Sequence, residues 1–262
     1  MTIFKHEWKV NSRLFLIWTI VIAIMEFAVI AIFPEFKDQA DSLNEMFATM
    51  GNFTTAFGMD RLSIGTALGY YGIEGGSIIG IGGGMLFALL GGSIICCEEG
   101  SRTAEFLFSA PVKRRSVLLW KALALFSFTV VFYSVTTITG IAAFGFIGET
   151  IEMKSFLLFQ LAQFFLGLEI AGITFGISAF LRKQNFGIFL GLALALYFLS
   201  IISNLLDSLG WIKYITPYCY SDAAKILTDN NLETPLVILG LGYGLICSIA
   251  GILYYCRKDL RA

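Results

Sequence analysis

Six stretches of this chain run apolar for about the width of a bilayer, and nothing constrains its fold more. They are Leu14–Phe33, Gly72–Cys97, Ser116–Gly140, Phe156–Leu181, Phe186–Leu206 and Leu236–Cys256, each close to the ~20 residues that cross a hydrocarbon core of ~30 Å. A backbone in lipid must satisfy its own polar groups, so runs of this length fold as helices. The chain is 57% hydrophobic and 14% charged, against roughly a quarter charged in a soluble domain. Pro34, Pro111, Pro217 and Pro235 all lie at the edges of apolar runs, where a missing N–H breaks no buried helix. The expected fold is an all-α polytopic membrane protein, a single transmembrane domain over residues 1–262. Its first run is too long for the apolar region of a signal peptide and no small-residue cleavage site follows it, so it reads as a retained helix.

Charge sets the orientation. Thirteen of the 18 lysines and arginines fall on one side of the six spans: Lys5, Lys9, Arg13, Arg102, Lys113, Arg114, Arg115, Lys121, Arg182, Lys183, Arg257, Lys258 and Arg261. Short cytoplasmic loops accumulate such residues, so both termini are expected in the cytoplasm of a bacterial cell, the chain lying in the plasma membrane. The acidic residues Glu35, Asp38, Asp41, Glu45 and Asp60 lean to the other side. The net charge of −1 hides this asymmetry and gives no reason to expect nucleic acid as a partner.

Several chemistries find no residues here. His6 is the single histidine, so a site built from several His ligands is excluded, and HExxH, GxSxG and Walker patterns do not occur. Five cysteines, with Cys96 and Cys97 adjacent, have no second pair at ligand spacing and read as small buried residues. No catalytic residue, cofactor site or metal site is expected.

Residues 1–13 place Lys5, Lys9, Arg13, His6 and Ser12 on one helical face and Ile3, Phe4, Trp8 and Val10 toward the other. The pattern fits an interfacial helix in the headgroup layer or a basic anchor that fixes topology. In the second span Gly72, Gly76, Gly80, Gly84, Ala88 and Gly92 recur every fourth residue, the spacing that lets a second helix approach closely. Pairs at Gly172/Gly176, Gly187/Gly191 and Gly240/Gly244 extend the expectation to a tight bundle and a dimer. The fourth span carries a polar or small stripe, Gln160, Gln163, Gly167, Ala171, Thr174 and Ser178, suited to a translocation path or to a neighbouring helix. Glu26 and Glu169 lie inside spans, where an ionised group costs a few kcal/mol or more. Neutral glutamates bonding between helices are the favoured reading, a substrate or proton path the other.

The outer segments are not simply polar. Residues 34–71 repeatedly offer apolar side chains, and residues 207–235 hold Trp211, Tyr214, Tyr218 and Tyr220, the amphipathic aromatics of a membrane interface. Short re-entrant helices bending at Pro217 are expected there.

Residues 98–115 form a charged island between two greasy spans. Ser101 can cap a helix, Glu105 sits in its first turn and Pro111 ends it. Thr103, Phe106, Leu107 and Ala110 share one face, a peg shaped for a groove in a partner.

The sequence EEGSRTAEFLFSAPVKRR resembles the cytoplasmic loop of ABC-2-type permeases, the membrane subunits of ATP-binding-cassette exporters. An acidic pair, a glycine, a hydroxyl residue, an acidic-Leu step and Pro-Val-x-Arg follow in that order, with Lys113 where the family usually has a hydroxyl residue. AFGMDRLSIGTALGYYG and YITPYCYSDAAKIL are also similar to that family, as is the N-terminal segment. The resemblance implies a dimeric permease with two separate cytoplasmic ATPase subunits that hold ATP and Mg. It implies a coupling helix over about Ser101–Ala110, with Glu98, Glu99, Arg102 and Glu105 touching the ATPase. The permease itself would be no enzyme. A glycine-lined bundle with apolar outer loops suits an amphipathic cargo, and a hydrophobic or antimicrobial-type peptide is the expectation. The alternative is an ion-coupled carrier or channel using Glu26 and Glu169.

Overall fold

The computed structural model describes residues 2–37, 39, 46, 51, 54–55, 59, 61–100 and 113–258. Six helices are long and apolar enough to cross a membrane: α1 (Thr2–Lys37), α2 (Ala67–Ser93), α3 (Arg114–Ile147), α4 (Met153–Ser178), α5 (Phe186–Leu205) and α6 (Thr234–Arg257). Among the described residues there is no strand.

The ends of the helices show which loops share a pole. Lys37, closing α1, bonds Glu149 beyond α3 at 2.5 Å, while Lys258 beyond α6 bonds Glu99 beyond α2 at 2.8 Å. The start of α1, the end of α6, residues 94–100 and residue 113 therefore sit at one pole, and residues 61–66, 148–152 and 206–233 at the other. Sharp reversals at the second pole have local causes. Gly148 takes φ +71° after α3, its N–H bonding Gly145, a conformation that costs glycine little. Pro235 stands in the first turn of α6, where its missing N–H leaves no bond unmade.

One expectation is corrected here. Residues 2–13 are not a helix separate from the first span; they are the opening turns of α1, which forms one helix of 36 residues. No glycine or proline interrupts the chain before Pro34, and the segment finds partners along α3. Trp8 Nε1 donates to Ser127 Oγ at 2.8 Å and its ring tilts over Phe128 at 4.2 Å. At 1.5 Å per residue α1 is about 54 Å long, well beyond the ~30 Å core.

Packing follows the small residues. The glycine stripe of α2 faces four elements in turn. A Cβ on Gly72 would meet Leu227 and Ala223 of the short helix Ala223–Asp229, on Gly76 Phe159 of α4, on Gly84 Tyr218 and Ile170, and on Gly92 Phe189 of α5. Helix α4 meets α6 backbone to backbone, a Cβ on Gly172 falling 2.8 Å from the Gly244 carbonyl oxygen. With lipid outside as apolar as the core, such van der Waals contact is what drives helices together. The aromatic centre, Tyr71, Phe87, Phe128, Phe132, Phe144, Phe156 and Phe159, is fully buried.

Candidate functional site

Two places in the bundle concentrate polar chemistry. The first is the pole of the termini. After α2 the chain turns at residues 94–95 and forms a short helical segment, Cys96–Gly100, carrying Glu98 and Glu99. Lys121, about two helical turns inside α3, is 2% exposed. Its Nζ lies 2.6 Å from Glu7 Oε1 and 2.8 Å from Glu98 Oε1, and it donates to the Ile94 carbonyl at 2.8 Å. Asn11 Nδ2 donates to the second Glu7 oxygen at 3.3 Å. One ammonium thus holds α1, α3 and the end of α2 together. Glu99 faces the other way, to Lys258, whose Nζ also donates to the Ala179 carbonyl at 3.2 Å. Arg114, opening α3, donates from Nη1 to the Lys258 carbonyl at 2.8 Å. Residues 100 and 113, the two ends of the loop between α2 and α3, are therefore anchored to the ends of α1, α4 and α6.

Ser101, Arg102, Thr103, Glu105, Phe106 and Leu107, with the rest of the expected coupling helix, lie outside the described residues. Glu98 and Glu99 are within them, and both are engaged inside the chain. Lys121 and Glu7 were not singled out from sequence as a pair. A lysine five residues into an apolar run is the signal that could have found them, since such a charge needs a partner.

The second concentration lies within the spans. Directly after its first four residues, helix α2 holds one π-helical turn, Tyr71–Gly75, a feature frequent at functional sites. It carries Tyr71, whose hydroxyl donates to Glu26 Oε1 of α1 at 2.8 Å. Gln160 Nε2 of α4 donates to the same hydroxyl at 2.9 Å, and Thr136 of α3 approaches Gln160 Oε1 at 3.5 Å. Glu26 Oε2 has no partner among the described residues. Glu169 is met by the Tyr220 hydroxyl at 2.9 Å and packs on Gly240 of α6. Thr174 gives its proton to the Ile170 carbonyl at 2.8 Å on the face that fits Gly91. Gln163 faces α2 beside Gly80 and donates to the Ser221 carbonyl at 3.1 Å. Gln160, Gln163, Glu169 and Thr174 are all buried, and Tyr71 and Tyr220, apolar-looking in sequence, are the partners of Gln160 and Glu169.

A family description, ABC-2 family transporter protein, matches residues 1–260. The chain belongs to that family. It is a multi-pass ABC-2 type permease, of a family that implies a membrane subunit without an ATPase site of its own. No curated protein and no solved structure matches it.

Proposed function

We propose that this ABC-2 permease is the membrane half of an exporter that moves an amphipathic molecule, a hydrophobic or antimicrobial-type peptide, and is driven by separate ATPase subunits. Two copies form the path, the pole of the termini faces the cytoplasm, and the loop 98–115 receives the motor through a coupling helix at Ser101–Ala110. One observation carries this reading: both ends of that loop are tied to the ends of several spans, one by the ion pairs of Glu98 and Glu99 and the other by the Arg114 hydrogen bond to the Lys258 carbonyl. A push on a loop mounted this way reaches α1, α3 and α6 together, whereas a loop on free ends would absorb it. The motor biases the spans only if it contacts two bundle states differently.

Copurification of the full-length chain with the ATPase encoded beside it tests the reading. Replacing Phe106 and Leu107 with aspartate should abolish the complex and leave membrane insertion unchanged. Retention of the ATPase by that variant would overturn the docking assignment. Transport in vesicles that needs ATP and ignores amphipathic peptides would overturn the cargo, and transport that collapses with the proton gradient alone would favour an ion-coupled carrier.

A further inference from the structure

We propose that the cavity between α2, α4, α5 and residues 217–224 is a binding site for a primary ammonium group carried on an amphipathic molecule. It lies at the pole opposite the termini, and its walls include Gln163, Asp222, Asn204 and the three serines Ser77, Ser200 and Ser221.

The donors and acceptors of these walls do not balance. Each serine gives its proton to a backbone carbonyl of its own segment: Ser77 to Ile73 at 2.7 Å, Ser200 to Tyr197 at 2.7 Å and Ser221 to Pro217 at 3.0 Å. What a hydroxyl so engaged still offers is its oxygen lone pairs, those of Ser77 being shared with the Tyr197 hydroxyl in the same wall. Asn204 Nδ2 is turned to Asp222 Oδ2 at 3.4 Å, and Gln163 Nε2 to the Ser221 carbonyl. Gln163 Oε1 is buried and has no donor among the described residues. A buried amide oxygen left alone costs on the order of a hydrogen bond, and its place on the cavity wall supplies the reason to leave it so.

Charge points the same way. Asp222 is the charged side chain among the described lining residues. Oδ1 caps the helix Ala223–Asp229 through the Ala224 N–H at 2.9 Å, and each oxygen keeps a further lone pair. Burial pushes this carboxyl above its ordinary value of 3.8, against the pull of Lys225 and, more weakly, of its bonds from Ala224 and Asn204 and of Arg61, and the part these leave uncompensated is what a facing cation would relieve. A ligand rich in N–H donors and positively charged answers both needs, and an ammonium is the compact group that is both. Ile81 and Ile201 in the same wall give an apolar chain somewhere to lie. The inference deepens the permease reading by naming the chemistry of its cargo, but its test needs neither ATPase nor transport. Loss of the ATPase complex and loss of ligand binding are thus separate results.

The test is calorimetry on the full-length protein in phosphatidylcholine nanodiscs, with empty discs subtracted, using octylamine, octyltrimethylammonium and octanol. Octylamine should bind saturably and at least roughly tenfold more tightly than the other two, since one lacks N–H donors and the other lacks charge. Equal binding of all three to the unaltered protein overturns the proposal without recourse to any variant. Gln163→Leu and Asp222→Asn should each weaken octylamine by about tenfold and leave octanol unchanged; unaltered octylamine binding by both folded variants also overturns it. Two sources of the group separate by competition. Adding phosphatidylethanolamine to the disc weakens octylamine if the headgroup is the natural occupant, whereas a lysine-bearing amphipathic peptide displaces it in pure phosphatidylcholine if cargo is.

Discussion

Lys121 of α3 sets its ammonium 2.6 Å from Glu7 of α1 in a setting where both side chains are almost wholly removed from solvent. Glu98 completes the cluster at 2.8 Å. Breaking a buried pair from one side costs about 3–5 kcal/mol because the partner is left charged and unmatched. Lys121→Met leaves two carboxylates in that position, so it should lower the unfolding midpoint far more than Glu7→Gln, which leaves Glu98 to match the lysine. The triple change Glu7→Gln, Glu98→Gln and Lys121→Met should regain most of the loss. Thermal unfolding of the purified chain, arranged as a mutant cycle, reads the coupling, and simple additivity would show that the three do not act as a unit.

The same cluster decides whether a variant can fold and still fail to work. Glu99→Gln removes the ion pair to Lys258 at one edge, where side chains are about a tenth exposed and the stability cost should be modest. In the proposed exporter it should weaken the mechanical link between the loop and α6. The expected outcome is an ATPase complex that assembles and hydrolyses ATP with transport per ATP reduced. Normal transport per ATP would mean that the link is structural only.

The six spans were legible because length and apolarity alone specify a crossing helix. Their ends were less so: α1 and α3 run past the apolar stretches at both ends, held there by Trp8, Glu7, Arg114 and Lys121, whose partners are distant in sequence. Glycine spacing announced close approach and α2 delivers it, yet spacing could not name the partner. Gly72 faces the short outer helix, Gly80 faces Gln163 and Gly92 faces Phe189. Glu26 and Glu169 stood out as carboxylates in apolar runs; Tyr71 and Tyr220, which bond them, did not, since a tyrosine in a greasy sequence looks like any other aromatic. The acceptor-rich cavity was invisible for the same reason. It depends on which carbonyl each serine proton has found.

Glu26 and Tyr71 offer a direct trial of the two readings of an intramembrane glutamate. Interhelical hydrogen bonds in membrane proteins average about 0.6 kcal/mol and reach about 1.7. Tyr71→Phe should therefore cost roughly that range, and Glu26→Gln, which still accepts from Tyr71, should fold and transport nearly as the parent does. Transport lost in Glu26→Gln with the unfolding midpoint unchanged would assign that carboxyl to a proton or substrate path.

Gly172 and Gly191 make a matched pair for testing how the bundle is held. A Cβ at Gly172 would sit 2.8 Å from the Gly244 carbonyl oxygen and 3.0 Å from its Cα, backbone that cannot step aside. Gly172→Ala should therefore force α4 and α6 apart and lose about 1–3 kcal/mol, as overpacking does. At Gly191 a Cβ would meet nothing within 4 Å, so Gly191→Ala should be neutral, or stabilising by up to about 1 kcal/mol from helix propensity. Gly187 and Gly191 share the spacing of the internal contacts, but α5 turns them to an open face. If two copies meet there, Gly191→Leu should shift the purified protein from dimer to monomer in size-exclusion chromatography with light scattering, its unfolding midpoint held. A dimer that persists in Gly191→Leu would place the contact between copies on another face, whereas a fall in midpoint equal to that of Gly172→Ala would show that α5 packs inside its own chain there.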